Sequence, residues 1–185
     1  MIREALISLL LAVGLAGPAQ AGAREAQELR LAQLFGALAE AAPGESEVIE
    51  QEIRAIWADS GSPSLNLLLE RGNKALEAGE WQEAAEHFTA AIDHAPDFVA
   101  AWNGRATAYY SAGLHGPALA DIAELLKLEP RHFGALTGLG VILEESGKRA
   151  LALKAYRQVL ALDPNRTDVQ EAIKALERAM GQFDS

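Results

Sequence analysis

A chain of 185 residues, half of them hydrophobic and rich in alanine and leucine, has room for one helical domain or one short repeat array. Its net charge of −10, with no long basic run, argues against nucleic acid and anionic membranes, whose phosphates call for Lys and Arg. The absence of cysteine excludes disulfides, thiolate nucleophiles, cysteine-based zinc sites and a lipidated N-terminal cysteine.

The first residues read as an address. Arg3 gives a positive start, residues 5–16 are apolar but too short to span a bilayer, and Gly17-Pro18 breaks the run. Ala19-Gln20-Ala21 then places small residues where signal peptidase reads. This predicts a signal peptide over 1–21 cleaved after Ala21, with Ala23 as the next site. Cleavage removes one acid, Glu4, and one base, Arg3, so the net charge is unchanged. The bacterial pattern points to the periplasm, with secretion as the alternative and no stable membrane anchor after cleavage.

Residues 22–64 read as a helical hairpin. Leu31, Leu34, Phe35 and Leu38 stripe one helix near Arg24–Ala41, and Ile49, Ile53, Ile56 and Trp57 stripe another near Ser46–Asp59. Pro43-Gly44 turns the chain between them, and Gly61, Ser62 and Pro63 separate the hairpin from the next segment.

From Leu65 a period of 34 governs the sequence. Pro96, Pro130 and Pro164 keep that step, as do Gly79, Gly113 and Gly147, and Ala84, Ala118 and Ala152. Large residues recur at Phe88, Ile122 and Tyr156 and at Leu68, Trp102 and Leu136, and small ones at Gly72, Ala106 and Gly140. Each unit predicts two helices. The first helices run near Leu65–Ala78, Val99–Ala112 and Phe133–Ser146, and the second near Trp81–His94, Gly116–Leu128 and Arg149–Leu162. A glycine falls just past each first helix, and a proline blocks continuation of each second one. The units are 65–98, 99–132 and 133–166. In the remainder, 167–185, Thr167 and Gln170 have capping-box spacing, and Val169, Ala172, Ile173, Leu176 and Met180 line one face of a helix that seals the array. The tail after Gly181 is expected to be loose.

The segment LLLERGNKALEAGEWQEAAEHFTAAIDHAPDF and its two successors resemble tetratricopeptide repeats, over about 55% of the chain. Departures are small: Leu125 and Val159 stand where the family has Ala, as at Ala91, and Arg71 and Arg105 replace a Leu that Leu139 supplies. The resemblance implies an all-α solenoid of three helical hairpins. Arrays of this kind need capped ends, so the N-terminal hairpin is expected to be a degenerate repeat capping the first unit. The alternative is a separate hairpin that docks a partner or a second copy through an exposed Trp57.

Catalytic patterns are scarce. His87, His94, His115 and His132 lack the i, i+4 spacing of a helical zinc site. Gly138-Leu139-Gly140 lies inside a predicted helix with Leu143 where a dinucleotide motif needs its third glycine. Glu144 and Glu145 are adjacent and point about 100° apart on a helix. No cofactor, metal or enzymatic activity is expected.

In the family, first helices line a concave groove. The resemblance places Asn66, Leu69, Asn73, Leu76, Ala100, Asn103, Thr107, Tyr110, Thr137, Val141 and Glu144 there, a neutral and mildly apolar set. Asn73 matches one position of the clamp with which some members grip a carboxylate tail, but Gly134 and Gly138 stand where its cations would be. Arg71 and Arg105 either reach an acidic ligand or pack their stems between helices. The expected function is a non-catalytic adaptor that binds a peptide or helix of another protein. The alternative is a structural component of an envelope complex that self-associates, as a homo-oligomer, through its N-terminal hairpin.

Overall fold

The computed structural model describes residues 18–181. The apolar core of the expected signal segment and the tail after Gly181 lie outside the described residues. Among those described there are nine helices and no strand: α1 (Pro18–Glu40), α2 (Ser46–Ala58), α3 (Pro63–Ala78), α4 (Trp81–His94), α5 (Val99–Ser111), α6 (His115–Leu128), α7 (Phe133–Glu145), α8 (Arg149–Leu162) and α9 (Thr167–Gly181). The pairs α3–α4, α5–α6 and α7–α8 are three antiparallel hairpins, each packed on the next.

The periodic residues explain the turns. Gly79, Gly113 and Gly147 adopt φ of 78°, 75° and 73°, a left-handed conformation that a Cβ disfavours. The following N–H then reaches back into the last turn of the first helix: Glu80 to Ala75 O, Leu114 to Tyr109 O and Lys148 to Leu143 O, each at 2.8 Å. At the other junctions the residue before proline leaves the helix. Where that residue is acidic its carboxylate holds the turn: Glu129 accepts from the Arg131 backbone at 3.0 Å, and Asp163 from that of Asn165 at 2.8 Å. The expected Thr167–Gln170 capping box is replaced by another bond. Thr167 is already the first residue of α9, and Gln170 Nε2 donates to the Pro164 carbonyl at 2.7 Å, as Trp102 Nε1 donates to Pro96 at 2.8 Å. Val169, Ile173 and Leu176 of α9 are buried against the last repeat.

Helix spacing is set by one large residue per repeat. Phe88 on α4 has no exposed surface and fills a slot between Gly72 of its own first helix and Gly104 of the next. A Cβ on Gly72 would lie 2.5 Å from the Phe88 ring, and one on Gly104 would also collide with it. Tyr156 fills the equivalent slot at Gly140. The middle repeat makes the trade the other way: Ala106 stands for glycine and Ile122 for the aromatic ring, with 3.7 Å left between Ile122 and a Cβ built on Gly138. Helix approach is thus conserved by exchanging volume across the slot.

The N-terminal hairpin does not stack on the first repeat as a cap. It runs along the loops that join the repeats. Arg24 pairs with Asp97 at 2.8 Å at the end of repeat 1, Arg131 at the end of repeat 2 lies 4.5 Å from the Phe35 ring centroid, and Asn165 at the end of repeat 3 donates to the Ala41 carbonyl at 2.8 Å. The line of contacts returns along α2. Glu50 accepts from Arg166 at 3.2 Å, and α2 packs on α5 as well as α1. Leu31, Leu34, Phe35, Leu38, Ile53 and Trp57 form one buried cluster with Phe133, Leu136 and Val159 of the last repeat and Val169 of α9. Trp57 is therefore not an exposed anchor. It is 6% exposed, stacked on His132 at 4.2 Å and tilted against Phe133 at 5.1 Å.

The reason lies in the slot rule. One period before Gly72, Ala84 and Phe88 stand Leu38, Glu50 and Arg54. The close-approach positions of a repeat are filled by a bulky residue and two charges, so the hairpin cannot dock as a fourth unit. Its apolar stripe is buried against the loop side instead. There His132 accepts from the Ala135 N–H at 3.0 Å, capping α7. Burial pushes its pKa down to about 4, so the ring stays neutral and keeps the lone pair this cap needs.

The slot predicts a specific epistasis. Gly72→Ala alone overpacks the Phe88 site and lowers unfolding free energy by about 1–3 kcal/mol. Adding Phe88→Ile, which reproduces the middle repeat's pairing, recovers most of that loss in chemical denaturation.

Candidate functional site

The inner faces of α5 and α7 diverge enough to leave a cleft of about 130 Å³. Asn103, Thr107 and Tyr110 come from α5 and Thr137 and Val141 from α7, spaced by three or four residues so that each set shares one helical face. Ala106, Ile122 and Ile142 form its apolar floor, and the missing side chains of Gly134 and Gly138 open its wall. Five of the expected groove residues are thus brought together.

Their polar groups differ in availability. Thr107 and Thr137 donate their hydroxyls to the helix carbonyls of Asn103 and Phe133, at 2.9 and 2.8 Å, which leaves only acceptor capacity. Tyr110 donates to Glu145 at 2.8 Å and stacks on His115 at 5.5 Å; the bond to the carboxylate raises the phenol pKa. The half-buried Asn103 amide makes no side-chain hydrogen bond within the described protein. It is therefore the groove's free donor and acceptor. Among the described residues no Lys or Arg lines the cleft.

The other expected positions have different work. Asn66 is held by the linker that leads out of α2: its Oδ1 accepts from Ser60 N at 3.0 Å and Ser60 Oγ at 2.6 Å, and its Nδ2 donates to Asp59 at 3.1 Å. Leu69 is 7% exposed and belongs to the core around Phe88, against which Leu76 and Ala100 also pack. Asn73 is exposed on α3, outside the cleft. Glu144 accepts from Tyr156 at 3.0 Å; burial, with this bond, pushes the Tyr156 phenol far above its ordinary pKa. The first repeat contributes a wall to the core and little to the groove. Sequence reasoning missed the floor residues Ala106, Ile122 and Ile142, because their part in the repeat core hides the edge they present to the cleft.

The two arginines separate. Arg105 Nε and Nη2 each donate to Asp121 at 2.8 Å, and Nη1 donates to Thr89 at 3.1 Å. Its guanidinium lies over the rings of Trp102 and Tyr109, at 4.9 and 5.9 Å. The hydrogen bonds to Asp121 raise its pKa and fix it as a structural cation. Arg71 is exposed on α3. Arg105→Ala leaves the buried Asp121 charge unpaired and is expected to lower stability by about 3–5 kcal/mol. Arg71→Ala stays within about 0.5 kcal/mol of wild type in the same urea titration.

A family model described as tetratricopeptide repeat matches residues 69–120, and a second of the same description matches residues 133–166. A TPR repeat-containing protein of Rhizobium etli is 39% identical over 158 residues, 85% of this chain and 78% of that protein. Further curated relatives match shorter stretches, and this chain spans a third or less of their length. Among solved structures, the first TPR of Spaghetti (RPAP3) bound to the HSP90 peptide SRMEEVD is similar with a TM-score of 0.62 at 26% identity. That match covers 65% of this chain and 95% of the other. A structure of MamA matches 87% of this chain and 86% of its own with a TM-score of 0.56, at 18% identity, a likeness of fold alone.

Proposed function

This chain belongs to the tetratricopeptide repeat family, and from that premise we propose that it is a non-catalytic adaptor of the bacterial periplasm. It holds a segment of another protein, extended or helical, in the cleft between α5 and α7. The observation that carries this reading is the half-buried Asn103 amide, left without a side-chain hydrogen bond among the described residues beside an apolar floor. Such an amide can bond a partner's backbone in both directions, while Val141 and Tyr110 take apolar side chains.

The cleft's charge narrows the partner. The RPAP3 domain is similar in fold and was solved with an acidic peptide. Here no described Lys or Arg lines the cleft, and Glu144 and Glu145 lie on the α7 turns next to it. A neutral or apolar segment suits this surface better than a carboxylate tail. The periplasmic address rests on the apolar run over 5–16 and on Ala19-Gln20-Ala21. No described helix is long and apolar enough to cross a membrane.

The test is site-specific photo-crosslinking in the native bacterium, with the probe at Asn103 and a control at Lys174 on the outer side of α9. The expected result is a discrete adduct from position 103 alone, on a mature chain whose mass begins at Gly22. Val141→Asp should remove the adduct. Equal smears from both positions would defeat the groove reading, and a chain retaining residues 1–21 in the cytoplasm would defeat the periplasmic one.

A further inference from the structure

A second hollow shares no residue with the cleft. It lies between α4, the end of α5 and the turn into α6, encloses about 610 Å³, and is open to solvent. Trp81, Ala85, Tyr109, Ala112 and Leu114 supply an apolar lining, and Glu86 and Asp93 stand in its wall. Beside it a shallower depression shares Trp81 and Glu86 and adds Glu80 and Glu83.

The fold does not require this apolar surface. Leu114 occupies the turn position that Glu80 and Lys148 take in the other repeats, and Trp81 the position of His115 and Arg149. Both equivalents are polar in both neighbours, so the turn tolerates water there. Yet Leu114 is a large hydrophobic residue left 49% exposed. Exposed apolar area that the architecture does not need, concentrated in a concavity, marks a contact surface.

Charge defines what fits it. From residue 75 to residue 126 the chain has a single Lys or Arg, Arg105, which is bound to the buried Asp121 and to Thr89 in the hollow's wall and offsets part of the charge of Asp93. The same stretch carries Glu77, Glu80, Glu83, Glu86, Asp93, Asp97 and Glu124 besides, of which Asp97 is met from outside by Arg24 and Glu124 by Lys127. The hollow thus sits in a field of predominantly negative sign, and no described Lys or Arg lines it. Such a surface steers and selects positive partners.

We propose that this hollow docks a basic amphipathic segment of a partner protein. One apolar side chain seats among Trp81, Tyr109 and Leu114, and flanking Lys or Arg residues meet Glu86 and Asp93. The site is independent of the α5–α7 cleft, so one molecule can hold two segments at once.

The mature chain is titrated with a fluorescein-labelled synthetic peptide of repeating Lys-Leu-Leu-Lys, read by anisotropy. Glu86→Gln/Asp93→Asn should weaken binding about tenfold, and Leu114→Ser about fivefold, while Val48→Ser, at an exposed apolar residue of α2, leaves it unchanged. Glu47→Gln/Glu171→Gln, which removes the same charge at exposed positions elsewhere, should change it less than about twofold. Circular dichroism verifies that each variant keeps its helices. No binding to wild type, or equal weakening by the two charge pairs, overturns the proposal. So does a concentration-dependent mass of the free chain that Leu114→Ser abolishes, since the occupant would then be a second copy.

Discussion

The distance between helices in this protein is decided at three buried positions. Phe88, Ile122 and Tyr156 each reach from a second helix towards first helices and fill whatever volume is left there. Where the ring is large the facing residue is glycine, and where it is alanine the ring gives way to isoleucine. Cores packed at crystal density do not accept a methyl group without a compensating loss, so this exchange keeps the repeat spacing constant while its residues vary. The rest of the array depends on it: glycine turns on one side, proline junctions on the other, and first helices that diverge around the cleft.

The N-terminal hairpin obeys the same rule by exclusion. Leu38, Glu50 and Arg54 occupy positions that a stacked repeat reserves for a small residue, an alanine and a buried large one. The hairpin therefore buries its stripe across the inter-repeat loops, from Asp97 at the end of the first repeat to Asn165 at the end of the last. This has a functional consequence. It ties together units that otherwise contact only their neighbours, and it leaves the α5–α7 cleft and the α4–α6 hollow uncovered. A linear solenoid with free ends becomes a braced one with two open surfaces.

Much of this is legible in the chain. The 34-residue step locates the turn glycines and the helix bounds to within two residues for all three hairpins, because Gly79, Gly113 and Gly147 can take a conformation other residues avoid. The slot series is equally visible at Gly72 and Phe88. Residues with two possible partners are harder. Leu69 resembles a groove residue by position but is drawn into the core by the Phe88 cluster. Asn66 has no evident local partner in the sequence but is held by Ser60 and Asp59, a linker whose path depends on where the hairpin lies. Trp57 lies in the expected apolar stripe, but its alternative reading as an exposed anchor stays open because nothing local in the sequence places His132 and Phe133 against it. Residues 38, 50 and 54, set against the repeat pattern, carry the signal that excludes the stacked cap. The α4–α6 hollow is invisible to periodicity, because Leu114 and Trp81 are exceptions to the series.

The claim on which most depends is the position of the hairpin, and the absence of cysteine makes it directly measurable. Cysteines placed at Ala41 and Asn165, treated with a short bismaleimide in the intact protein, should join in nearly every molecule. A second pair at Val48 and Leu67, on α2 and α3, should stay unlinked. Efficient linkage of the α2–α3 pair with none between positions 41 and 165 would mean that the hairpin stacks on the first repeat, and would contradict the braced architecture.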